Sequence, residues 1–104
     1  MQEERDLERA FDAIAAVLKQ SAEEKKFALA ASAAEQHGLV DQGDGTPSQK
    51  AVWEKSSGNL TLQFIWRWYD QSHPFSIRPD MNILLVELKE NGRTIRQAEE
   101  RYED

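Results

Sequence analysis

Leu60-Thr-Leu-Gln-Phe-Ile-Trp-Arg-Trp-Tyr-Asp70 is the stretch on which the fold turns. Leu60, Leu62, Phe64, Trp66 and Trp68 fall on every second position, with Thr61, Gln63, Arg67 and Gln71 on the alternate ones. Period two is the mark of a strand with one buried face, because successive side chains leave the backbone on opposite sides. Two Trp, one Phe and two Leu on one face carry more apolar surface than any other segment, and aromatic burial dominates a small core. The sheet is therefore expected to be built around residues 60–70, with its even positions inward.

Working outward, Ala51-Val-Trp-Glu-Lys55 reads as a short strand and Ser56-Ser-Gly-Asn59 as a turn, so 51–70 is expected to form a β-hairpin. Residues 71–80 carry Pro74 and Pro79 around Phe75 and Ile77. This segment is expected to be an extended, ordered loop whose two apolar side chains tuck against the sheet rim. Residues 82–89 supply a third strand, with Leu84, Val86 and Leu88 on one face and Ile83 and Leu85 on the other. Beyond it, Asn91-Gly92 is a strong hairpin signal. Against it stand Ile95, Ala98 and Tyr102, three and four residues apart, in a segment rich in Arg, Gln and Glu. Helix propensity decides for a closing helix over 94–102 rather than a fourth strand.

Upstream, residues 3–20 form an amphipathic helix pattern: Leu7, Phe11, Ile14 and Leu18, widened by Ala10 and Val17. Glu3, Glu4, Asp6 and Glu8 crowd its first turns, where the helix dipole favours negative charge. Ser21-Ala-Glu-Glu24 has the form of a capping box, which predicts a second helix over 22–37. Its end is marked by His37, by Gly38 at the left-handed position and by Leu39, the residues of a Schellman motif. Alanines at 28, 30, 31, 33 and 34 make this helix smooth, suited to pack closely against the first. Residues 41–49, Asp-Gln-Gly-Asp-Gly-Thr-Pro-Ser-Gln, have turn chemistry throughout and are expected to be a linker. The Asp41 and Asp44 pair does not make an EF-hand, since the twelfth position from Asp41 is Val52 where that loop requires Glu.

The expected architecture is α+β and one domain over 1–104: a helical part over 1–40, a linker over 41–49, and a sheet with its closing helix over 50–104. It combines an N-terminal helical hairpin, a three-stranded antiparallel meander and a C-terminal helix, with the helices on one face of the sheet.

Composition limits the chemistry. The chain of 104 residues has no Cys, so disulfides, thiolate metal ligands and a thiol nucleophile are excluded. Its formal net charge is −6, spread evenly, with −3 on residues 1–40 and −3 on 41–104. Duplex DNA binding leaves a clustered Lys/Arg footprint, and none is present. Met1 to Asp6 lacks a basic stretch followed by an apolar one, and no apolar run approaches a membrane span, so a cytoplasmic protein without membrane contact is expected.

No catalytic or cofactor motif emerges. Ser72 and His73 are neighbours on an extended chain and point apart, and Ser76 with His73 lacks a Gly-rich elbow. Asp70, Asp80 and Glu87 could supply paired carboxylates, but nothing in their spacing unites them. Phosphate loops, dinucleotide fingerprints and His-x-x-x-His are absent. The expectation is a protein that is not an enzyme and holds no cofactor or metal.

The informative surface is the far side of the sheet. With even positions inward, Ile65, Arg67 and Tyr69 look outward, joined by Leu85 and by Trp53 from the short strand. His73, Phe75 and Arg78 of the following loop make a second contact. Apolar and aromatic residues around an Arg have the composition of an interface hot spot. The expected function is a small binding module of adaptor or inhibitor type, the kind of accessory protein common in bacteria and phages, engaging a protein partner. Self-association as a structural homo-oligomer is the alternative. Stacking of single-stranded nucleic acid on the aromatics is a third reading, disfavoured by the acidic balance and the lack of an RNP-type motif.

Overall fold

A computed structural model describes residues 2–46 and 50–103. Among them, two helices precede five strands: α1 (Gln2–Glu23), α2 (Phe27–Gln36), β1 (Val40–Thr46), β2 (Lys50–Ser57), β3 (Leu60–Tyr69), β4 (Met81–Glu90) and β5 (Arg93–Glu103). The strands form one antiparallel sheet in chain order, each paired with its neighbour in sequence. Both helices pack on one face of it, α1 reaching β2 to β5 and α2 lying beside α1 toward β1. None of the described helices is long and apolar enough to cross a membrane.

The core follows the two periodicities. Leu7, Phe11, Ile14 and Leu18 line the buried stripe of α1 and meet Leu60, Leu62 and Phe64 of β3 and Leu84, Val86 and Leu88 of β4. Trp66 is half-buried and stacks flat on Phe27 at the start of α2, ring centroids 3.7 Å apart. Its indole Nε1 donates to the buried Asn82 Oδ1 at 3.0 Å, so a polar group inside the sheet is partnered. The smooth helix works as its composition implies: Ala30, Ala31, Ala33 and Ala34 are its buried residues. At its end, Leu39 N donates to Ala34 O and Gly38 N to Glu35 O, both at 3.0 Å. With Gly38 at φ +86°, this is the Schellman pattern.

Three sequence expectations are corrected. The closing helix over 94–102 is the edge strand β5, so the sheet is not a three-stranded meander. Asn91 (φ +53°) and Gly92 (φ +82°) form a turn with two left-handed residues, whose twist matches paired strands, and β4 pairs with β5 from Met81–Glu103 to Glu90–Arg93 with one register shift between Leu88 and Lys89. Pairing along a whole strand outweighs helix propensity. On the helix side of β5, Arg96 stacks over Phe11 at 4.3 Å and Tyr102 is buried.

The linker is also wrong over most of its length: Val40–Thr46 is the other edge strand, β1. Its turn residues serve register shifts rather than a connection, with Gly43 N bonded to Asp41 Oδ1 at 2.7 Å within the first of two irregularities. Residues 47–49 of that expected linker lie outside the described residues. Finally, the capping box does not form. Ser21 stays inside α1, fully buried, and its Oγ donates to Lys26 O. The chain turns at Lys25 (φ +57°), and the first amide of α2, Phe27 N, is satisfied by the Tyr102 hydroxyl at 3.1 Å.

Candidate protein-binding surface

The pairing of β3 fixes which side chains share the helix-free face. Ile65 lies between Val52 and Leu85, Gln63 between Glu54 and Glu87, and Arg67 beside Ile83. The face is largely covered by its own polar side chains. Gln63 Nε2 donates to Glu54 Oε1 at 2.7 Å, Lys89 pairs with Glu87 at 3.6 Å, and Arg101 Nε meets Glu99 Oε2 at 2.8 Å. That last bond, with the Glu99 charge, raises the Arg101 pKa above its ordinary value. Ile65 is consequently only 4% exposed and Leu85 half-buried, while Arg67 and Tyr69 are exposed.

Trp53 does not belong to this face. It pairs with Phe64, which sets it on the helix side, 5% exposed, with Nε1 donating to Glu35 Oε2 of α2 at 3.2 Å. Val52 and Trp53 are both apolar, so alternation within residues 51–55 carried no sign of which one turns inward.

The loop after β3 is the more exposed feature. β2 begins opposite Arg67 and β5 ends opposite Met81, so residues 70–80 project past both neighbours of the central hairpin. Phe75 and Ile77 are each 96% exposed. They do not tuck against the sheet rim, because the loop folds on itself instead. His73 and Ser76 exchange both backbone hydrogen bonds at 2.9 Å, a bridge that closes a tight turn over Pro74 and Phe75. Ser72 Oγ accepts from Arg78 N and donates to Arg78 O, both at 3.0 Å. Gln71 Nε2 donates to Pro79 O at 2.9 Å and to Glu103 Oε2 of β5 at 2.7 Å. At the base, Trp68 Nε1 donates to Asp80 Oδ2 at 2.9 Å, and Asp70 Oδ1 accepts from Ser72 N at 2.7 Å. Rung by rung, the segment is a braced finger.

These bonds also occupy the groups considered for catalysis. Ser72 is taken by Arg78, Asp80 by Trp68 and Asp70 by Ser72, while His73 Nδ1 accepts from Phe75 N at 3.4 Å. Among the described residues no group of three or more His, Asp or Glu is placed to hold a metal ion. Among the described residues, an open cleft of about 430 Å³ is lined by Asp6, Arg9, Gln36, His37, Gly38 and Lys55. Ligand pockets are lined mainly by apolar side chains, and this one is not.

The finger and the end of β3 thus bring together Arg67, Tyr69, His73, Phe75 and Arg78 of the residues singled out by sequence, and add Ile77. Ile65 and Leu85 lie farther along the same sheet and are mostly covered, and Trp53 is in the core. Comparison with family models, with curated proteins and with solved structures finds no match to this chain. What the fold and site define is a class: a helical hairpin on a five-stranded antiparallel meander that extends an aromatic-tipped finger.

Proposed function

We propose that this chain is a small, non-catalytic protein-binding module whose contact surface is the finger of residues 70–80 and the adjoining end of β3. The observation that carries the reading is the near-complete exposure of Phe75 and Ile77 on a finger braced by its own hydrogen bonds. Exposed single hydrophobic residues are ordinary, but two on one narrow tip, next to exposed Tyr69, Arg67 and Arg78, have the makeup of an interface core. A tip already held in shape loses little conformational entropy on binding. The absence of Cys suits a cytoplasmic setting for such a module.

The test is solution mass by light scattering over a concentration series, followed by co-purification from cells that express the chain naturally. The expected result is a monomer of 11.9 kDa alone and a stoichiometric complex with a second protein. That complex is lost on Arg67→Glu with Tyr69→Ala, while cooperative unfolding is kept. A mass that rises with concentration to a stable dimer, with no second protein retained, would replace this reading with a homo-oligomer.

A further inference from the structure

The two edges of the sheet are not alike. β1 is interrupted by two register shifts, which blunt an edge against further pairing. β5 has a single shift, beside Thr94, and from Arg96 to Glu103 its pairing with β4 is uninterrupted. Among the described residues no strand lies on its outer side, and Arg96, Gln97, Glu99 and Glu100 are exposed. A regular, exposed edge is a template for one more antiparallel strand. The side chains along this edge complement their own reversal. With Ala98 as centre, Arg96 mirrors Glu100 and Gln97 mirrors Glu99. Arg96 and Glu100 also share the helix side of the sheet, since they stand opposite the buried Leu88 and Leu84 of β4.

We infer that β5 pairs antiparallel with β5 of a second copy of this chain, about a two-fold axis at Ala98, so that two sheets join edge to edge. Each Arg96 then faces Glu100 of the other copy and each Gln97 faces Glu99, with no like charges directly opposed. Other axes do worse. One at Glu99, Glu100 or Arg101 sets that charge against itself, which destabilises a strand pair. One at Gln97 or Tyr102 keeps only the end of the regular stretch in the ladder. Arg96 already holds Asp12 at 2.7 Å, but a guanidinium has five N–H donors and can take a second carboxylate. The ladder from 96 to 100 is short, well below the roughly 800 Å² per partner of a stable interface. A net charge of −6 on each copy opposes contact as well. The pairing is therefore transient, and the chain alone keeps a monomer's mass. It is independent of the binding-module reading and adds a consequence to it. The finger stands at the Glu103 end of β5, so antiparallel copies carry their fingers at opposite ends.

The chain has no Cys, so single Cys variants of the full chain trap the pairing and report its register. A residue on the axis faces its own copy with Cβ atoms about 5 Å apart, whereas position 97 meets its copy only on the diagonal, at about 7–8 Å. In concentrated protein with oxidised glutathione, Ala98→Cys should therefore form a covalent dimer about tenfold faster than Gln97→Cys. In the Ala98→Cys background, Glu100→Arg alone and Arg96→Glu alone should each link about tenfold more slowly. An equal mixture of those two variants should give the mixed dimer, identified by its mass, at close to the parent's rate, because every Arg then meets a Glu again. Rescue by mixing is a result that a merely structural role of either residue does not produce. Equal rates at positions 97 and 98 would overturn the inference, and that comparison decides alone if Arg96→Glu, having lost Asp12 and Phe11, fails to fold. So would two variants that unfold cooperatively but whose mixture stays slow. If Ala98→Cys in an extract of the natural host links to a different protein and not to its own copy, the edge belongs to that protein and the inference fails. None of these outcomes touches the finger, which is tested separately at Arg67 and Tyr69.

Discussion

Phe64 and Phe75 are the same residue eleven positions apart on one β-hairpin, and their fates are opposite. Phe64 is fully buried between the two helices and the sheet, in contact with Trp53 at a ring distance of 5.2 Å, whereas Phe75 is 96% exposed at the finger tip. The isoleucines repeat the contrast, with Ile14 at 0% and Ile77 at 96%. Folding has used the apolar surface of the first pair and left that of the second untouched. The difference separates two jobs. Residues facing α1 and α2 hold the molecule together, while the side chains of Phe75 and Ile77 pack against almost nothing and would be available to the proposed encounter.

The contrast is broken hardest at the core. Phe64→Ala is expected to destabilise by about 4 kcal/mol, through lost transfer energy and the cavity left under α1. Chemical denaturation checks it by a lower midpoint at an unchanged slope. Trp66→Ala, at the half-buried end of the same face, should cost about 3 kcal/mol. It removes the stack on Phe27 and takes the indole donor away from Asn82. A loss below about 1 kcal/mol at Trp66 would mean that the stacked ring is no part of the core.

Smaller effects probe what ties β5 in place. Gly92→Ala should cost roughly 1–2 kcal/mol, since φ +82° is strained for any residue with a Cβ. Tyr102→Phe should cost about 1 kcal/mol, because the Phe27 amide loses its acceptor. Amide exchange at Phe27 is the direct readout, with faster exchange expected in the variant.

How much of this contrast could be read beforehand depended on whether the relevant neighbours were close in sequence. The stripe Leu7, Phe11, Ile14 and Leu18, the even positions of β3 and the Schellman end at Gly38 are local patterns, and all three stand as read. β5 was illegible because its composition favours helix; only pairing with β4 and the docking of Arg96 and Tyr102 against the helices make it a strand. β1 resembled a linker because an edge strand with two register shifts is written in turn residues. Sequence alone places Trp53 on the wrong face for want of a register, which Phe64 supplies from the neighbouring strand. The finger residues stand out in the sequence, but the prolines around Phe75 and Ile77 suggest an apolar pair folded inward. The hydrogen bonds from Gln71 and Ser72 to Pro79 and Arg78 show why it is not: the loop satisfies its backbone across its own width and has no need to lean on the sheet.

The smallest expected effect on the fold is the sharpest on the comparison. Phe75→Asp with Ile77→Asp replaces two almost fully exposed side chains, so stability should stay within about 0.5 kcal/mol of the parent, as for surface changes away from any packed feature. Thermal unfolding followed by Trp fluorescence checks this, since Trp53 and Trp66 report on the helix side of the sheet. Association with the proposed partner should at the same time be lost, because two charged carboxylates would stand where the exposed apolar contact surface was. If the double variant unfolds at a markedly lower temperature, Phe75 and Ile77 are packed in solution, and the division between a face that holds the fold and a tip that meets a partner falls with it.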